Sequence, residues 1–336
     1  MLHRLSHRLA RWVPAGSLIV SLALSCTVEA AFFASAVIEY VPGAAAGSGF
    51  NTTTAAVGSP DGITGEVLGF PNVLSPMSPA FESDEIVQIG AGGHITLQLE
   101  LAAVPLVGPE IGVIENVGFF DASFPSGTTT NPAVTFGQDT ATVEVSEDGN
   151  TWVSLGPVLF NIPANFYTNA GPYDAAPPAS PQHADFGKPF AGSLADFDAK
   201  SYAGILSVLD GSGGGTWLDI SSTGLTQVGF IRFSLDAGAI NTFELDAVVI
   251  ANPLPGDANR DGSVTFADFG ILQVNFGQPG TFIDGDFNGD GIITFADFGI
   301  LQANFGMTAA PAVVPEPGTL AVLAVGSLTL LRRRIR

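Results

Sequence analysis

Asp257, Asn259 and Asp261, followed by Gly262 and closed by Asp268, set side-chain oxygens at positions 1, 3, 5 and 12 of a twelve-residue run. Asp286, Asn288, Asp290, Gly291 and Asp297 repeat the pattern 29 residues later. Oxygen donors at this spacing suit a hard cation, because calcium takes six to eight oxygens and a twelve-residue loop supplies them from positions 1, 3, 5, 7, 9 and 12. The expected ligands are therefore Asp257, Asn259, Asp261, Ser263 and Asp268 for one Ca2+ ion, and Asp286, Asn288, Asp290, Ile292 and Asp297 for a second. Position 7 offers only its backbone carbonyl, so Ser263 and Ile292 can differ. Thr265 and Thr294 at position 9 are expected to act through water. Val264 and Ile293 at position 8 are apolar, as they would be if the two loops paired through a short strand contact. Position 6 needs a sharp turn, which glycine makes at least cost.

The loops must be held by what flanks them. Each runs into the same sequence, Phe-Ala-Asp-Phe-Gly-Ile-Leu-Gln-x-Asn-Phe-Gly. Phe266, Phe269, Leu272 and Phe276 recur at helical spacing, as do Phe295, Phe298, Leu301 and Phe305, and Gly277 and Gly306 stop the helices. Two loop-helix units packing these faces together predict a small core of about fifty residues, completed by calcium. Leu254-Pro255-Gly256 and Pro279-Gly280 leave no helix entering either loop. With aspartate rather than glutamate at position 12, the pair resembles the type I dockerin repeat, a relative of the EF-hand, over about residues 256–306. The resemblance implies two calcium ions, and it leaves a cohesin-like protein or an extracellular polysaccharide as partner, with cohesin binding not licensed by the following residues. The loop-end positions that help choose a cohesin read Ala267-Asp268 and Ala296-Asp297 here, before helices with no Lys or Arg.

Residues 31–250 read as mainly β. Ile95–Leu101 and Ala141–Val145 alternate apolar and polar residues, and 227–235 and 243–250 are rich in strand formers. Asp148-Gly149 signals a hairpin turn between 142–145 and 152–155. Long Gly/Pro/Ser-rich loops, notably 42–80 and 161–200, separate the strands. A jelly-roll-like β-sandwich fits best. Gly92-Gly93-His94-Ile95-Thr96-Leu97, Ile111–Asn116, Val143–Gly149 before Trp152, and Glu244–Val248 resemble phrases of the galactose-binding-like sandwich. That likeness implies a fold and a ligand-binding rim, with no catalytic step.

The ends read as addresses. Arg4, Arg8 and Arg11 precede a short apolar run, 17–24, and small residues before position 31, which predicts a signal peptide over 1–30, with a second cut site at Ala34-Ser35-Ala36. Cys26 falls before the first cut, so the mature chain has no disulfide. Pro315, Glu316 and Pro317, the apolar stretch Leu320–Leu331 and the terminal arginines resemble the PEP-CTERM sorting signal of Gram-negative bacteria. The resemblance implies an exosortase-type sorting enzyme as partner, transient membrane contact through a C-terminal apolar helix, and release to the cell surface. The expected division is therefore 1–30 signal, 31–250 β-sandwich, 251–306 small α calcium module, and 307–336 linker and sorting signal.

Seven of the 11 basic residues lie in the two ends, leaving 30 acidic against 4 basic residues over 31–314, a net −26. Such a body does not bind nucleic acid electrostatically. It contains no nucleophile elbow, phosphate-binding loop or His-Glu-x-x-His. His94 and His183 stand far apart in the sequence, and Trp152 and Trp217 suit either core packing or a sugar face. Asp84/Glu85 and Asp196/Asp198 are carboxylate pairs without a fixed cross-cleft spacing. The expectation is an exported, non-catalytic, calcium-binding surface or matrix protein that binds carbohydrate or protein. The alternative is a polysaccharide-degrading hydrolase, acting on O-glycosyl bonds, or its accessory subunit, tethered through the calcium module.

Overall fold

The computed structural model describes residues 31–47, 49–106 and 108–308. The expected signal segment 1–30 and the sorting residues Pro315, Glu316 and Pro317 lie outside these.

The chain is mainly β. Its first five strands are β1 (Phe32–Val41), β2 (Ile63–Thr64), β3 (Asn72–Val73), β4 (Val87–Ile89) and β5 (His94–Ala103). Then come β6 (Ile111–Glu115), β7 (Gly118–Phe119), β8 (Thr135–Phe136), β9 (Asp139–Ser146) and β10 (Val153–Phe160). A short helix, α1 (Tyr202–Leu209), precedes β11 (Thr216–Leu218), β12 (Val228–Ser234) and β13 (Phe243–Ile250). Helix α1 was not expected from the pattern of residues, since it is only eight residues long. Ser201 caps its start, accepting from the Gly204 N–H, and Tyr202, Ile205 and Leu209 point inward.

Nine strands form one antiparallel sheet in the order β10-β9-β12-β5-β1-β13-β6-β11, with β4 on the free stretch of β13. Strand β1 closes it. Phe32 and Phe33 pair with Ile250 and Val249, and Ala34 onward pairs with β5, with register shifts at Ala34/Ala36 and Val37/Glu39. Bulges bend a strand and sharpen its twist, so β1 passes from one layer to the other and the sheet nearly closes on itself. Alternation then fills the interior. Ile95, Leu97 and Leu99, Ala141, Val143 and Val145, Ile111 and Val113, and Phe243 and Leu245 share one buried cluster. Phe160, Phe233 and Phe243 stack within it, their centroids 5.1–5.9 Å apart.

The outer face of β13 and β6 is covered by the long loops, around Leu74, Ile86, Ile114, Phe186, Ala247 and Val249. The β9–β10 hairpin turns where Asp148-Gly149 predicts it. Asp148 Oδ1 accepts from the Asn150 and Thr151 N–H groups, and Gly149 has φ +75°.

Two ten-residue helices, α2 (Phe266–Asn275) and α3 (Phe295–Asn304), follow. Their core keeps the expected Leu272 and Leu301, with Phe269 and Phe298 packed against it, but not Phe266 and Phe295. Leu272, Leu301, Val264, Ile293, Phe282, Phe287 and Ala258 are buried together. Phe266 and Phe295 are 78% and 77% exposed. Each packs edge-on against the phenylalanine ending the other helix, Phe305 and Phe276, at 4.9 Å. In so short a helix the first-turn aromatic lies beyond the two-helix contact, which centres on the leucines.

Candidate metal centre

The two twelve-residue loops share one hydrogen-bond frame. In the first, Asp257 Oδ1 accepts from Asp261 N at 3.1 Å and Oδ2 from Gly262 N at 2.8 Å. In the second, Asp286 accepts from Asp290 N at 3.2 Å and Gly291 N at 2.7 Å. Asn259 Oδ1 also accepts from Asp261 N, as Asn288 Oδ1 does from Asp290 N, both at 3.0 Å. Asp261 Oδ1 accepts from Ser263 N at 2.9 Å, and Asp290 Oδ1 from Ile292 N at 3.0 Å. Gly262 and Gly291 have φ +82° and +84°, the left-handed conformation that position 6 was expected to need.

The last carboxylate closes each loop. Asp268 Oδ1 accepts from Asn259 N at 3.1 Å, and Asp297 Oδ1 from Asn288 N at 3.1 Å and Phe287 N at 2.9 Å. Their Oδ2 atoms accept from Thr265 N and Thr294 N at 2.7 and 2.8 Å, reaching back across the helix start. Position 9 therefore has a second job. The Thr265 and Thr294 hydroxyls accept from Ala267 N and Ala296 N at 3.1 Å, capping α2 and α3. Loop and helix are thus one unit, in which position 12 orders both.

The loops do not pair with each other as their apolar position 8 suggested. Val264 pairs with the exit of the opposite helix, through Val264 N to Met307 O at 2.9 Å and Gly306 N to Val264 O at 2.8 Å. Ile293 pairs likewise with Gly277 and Gln278. The units interlock crosswise, because each helix ends beside the partner loop. Gly256 and Gly285 permit this. A Cβ there would stand 3.0 Å from Leu301 Cα or 2.9 Å from Leu272 Cα.

The donor set fits a hard cation. Asp257, Asp268, Asp286 and Asp297 are buried, and no lysine or arginine pairs with them among the described residues. Burial raises the Asp257 carboxyl above its ordinary range; Asp268 and Asp261 add to this, while the Gly262 N–H opposes it. Each carboxylate oxygen has two lone pairs, so the Asp257 and Asp286 oxygens, each accepting one N–H, retain a site for a cation, whereas Asp297 Oδ1 already accepts two. Among the described residues, no three His, Cys, Asp or Glu side chains form a metal-holding group by themselves. The asparagine and the position 7 carbonyl belong to the set.

The other singled-out residues are structural. His94 Nε2 lies 3.2 Å from Glu39, and Arg232 sits 4.1 Å over Trp152, on the outer face of β5 and β12. Trp217 donates to Gly214 O, and His183 packs edge-on against Phe166 and Tyr167. Glu85 accepts from Thr64 Oγ1, Phe81 N and Glu82 N. Asp196 caps a single turn at Ser193, and Asp198 accepts from Ala133 N.

The family model of the PEP-CTERM protein-sorting motif matches residues 313–335. No curated protein matches the chain. The motif implies processing by an exosortase-type enzyme and export to a surface or extracellular location in a bacterium.

Proposed function

We propose that the chain is a calcium-binding surface or matrix protein of a Gram-negative bacterium that performs no catalysis. It consists of a jelly-roll-type sandwich over 31–250, a dockerin-like module that binds two Ca2+ ions, and a sorting tail. The observation that carries this reading is the matched hydrogen-bond frame of the two loops, which holds Asp257/Asn259/Asp261 and Asp286/Asn288/Asp290 in the same arrangement. Bound calcium supplies the positive charge that lets three carboxylates share one small loop. The chain's own part is to preorganise the oxygens through backbone N–H groups and to connect each loop to a helix through its last aspartate.

Strand β1 supports removal of 1–30. Phe32 and Phe33 pair with β13, and Phe32 packs on Phe282 of the module at 5.9 Å. A cut after Ala36 would remove those contacts. The non-catalytic reading is favoured because Glu85, Asp196 and Asp198 serve loops and caps. Extracellular carbohydrate or protein remains the expected class of ligand for the sandwich.

The module has no disulfide and a core of seven buried apolar residues, so metal binding should contribute directly to its stability. Chelating calcium from the secreted chain should open 257–306 to protease while 31–250 stays protected. Equal protection with and without calcium overturns the reading.

A further inference from the structure

The loops do not account for every carboxylate that lacks a partner. Glu115 ends β6 at the inward position that follows Ile111 and Val113, opposite Leu245 of β13. It is 4% exposed, and neither Oε1 nor Oε2 has a hydrogen-bond partner. Asp139 begins β9 opposite Phe160, at the inward position that precedes Ala141 and Val143. It too is buried. The chain brings the two segments together here. The Asn116 carbonyl lies where a Cβ on Gly137 would stand, at 1.8 Å, so only glycine permits the approach.

Glu244 adds a third negative charge but is set back. Its carboxylate accepts from Gln88 Nε2 at 2.6 Å, Asn116 Nδ2 at 2.7 Å and Thr242 Oγ1 at 3.4 Å. Among the described residues no ion pair includes Glu115, Asp139 or Glu244. Burial, then the charges of Asp139 and Glu244, push the Glu115 carboxyl well up. A proton shared between Glu115 and Asp139 is the competing arrangement, and calcium binding at pH 8 separates the two. A buried charge requires pairing or a metal.

We propose that Glu115 and Asp139 bind a third divalent cation, calcium, at the end of the sheet core beside Phe160 and Phe243. Glu115 offers both oxygens and Asp139 the second carboxylate, with water completing an all-oxygen shell. Glu244 acts from outside, through charge and through its hold on Asn116. The cation ties β6 to β9.

The test uses the full secreted chain carrying Asp257→Ala and Asp286→Ala, which disables both loops, so its outcome is separate from that of the loop reading. Calorimetric titration with calcium alone, at pH 8, should find one remaining ion per chain, and calcium should raise the melting temperature. Adding Glu115→Gln should abolish both effects. Asp139→Asn, at a position on the site's edge, serves if Glu115→Gln does not fold, and should also abolish both. No residual binding in the parent, or binding unchanged by the substitution, overturns the proposal.

Discussion

Replacing Asp290 with alanine removes an exposed carboxylate, whereas replacing Asp297 removes a fully buried one from the same loop. Asp297 accepts from Phe287 N, Asn288 N and Thr294 N. Leaving the buried Phe287 donor unsatisfied costs about 1–3 kcal/mol, and the half-buried Asn288 and Thr294 donors add less, so the total is roughly 2–5 kcal/mol. A fifty-residue module has a total stability of about 2.5–7.5 kcal/mol. Asp297→Ala should therefore remove most of the module's stability and lower protection of α2 and α3 even in saturating calcium. Asp290 accepts from Ile292 N and Asn288 Nδ2 at an exposed site, and its loss without metal should cost about 0.5 kcal/mol. At free calcium of about a hundred times Kd, one site adds about 2.7 kcal/mol, a hundredfold in protection. Amide hydrogen exchange across α2 and α3 reads both. Asp290→Ala should match the parent in chelator and fall about a hundredfold below it in calcium. Equal protection of variant and parent in both conditions would refute the assignment of Asp290 as a ligand.

Leu272→Ala should destabilise the module by about 2–5 kcal/mol, whereas Phe266→Ala, at an exposed ring, should cost far less; chelator-free thermal melts compare them. Asp246 is buried with Oδ2 unpartnered, and burial, with Asp61 and Glu85, raises its folded pKa well above the ordinary value. The folded chain then holds a proton that the unfolded chain releases, so stability falls as pH rises from about 4 through the raised pKa. Asp246→Asn should melt higher than the parent at pH 8, with the gain disappearing in acid; equal melts at pH 8 would contradict this. Replacing Pro315, Glu316 and Pro317 with alanine should leave uncleaved chain in the cell envelope, read by mass; normal release would contradict the sorting role. The parent's mature N-terminus should be Ala31.

The parts legible in the sequence were those set by local rules. Alternation placed β5 and β9, strand-forming residues placed β12 and β13, and Asp148-Gly149 placed a hairpin. The glycine at position 6 and the repeated helix were equally visible. Long-range geometry was not. Val264 is apolar whether it pairs with the other loop or with Met307, and only the crosswise interlock decides between them. Phe266 has helical spacing, but a ten-residue helix buries its middle, where Leu272 sits. Thr265 fits both a water-mediated ligand and a helix cap, and only the Ala267 N–H distinguishes them. Glu115 left a faint trace, an acid in the inward register of Ile111 and Val113. Its meaning depends on Asp139, 24 residues away in sequence.

Calcium binding by the two loops is decided by counting ions. Equilibrium dialysis of the secreted chain against calcium, beside the chain carrying Asp257→Ala and Asp286→Ala, gives the difference in ions bound per chain. The account predicts two fewer ions in the substituted chain, with magnesium a poor replacement because it requires a tighter octahedral shell. Equal calcium content in the two chains would contradict it.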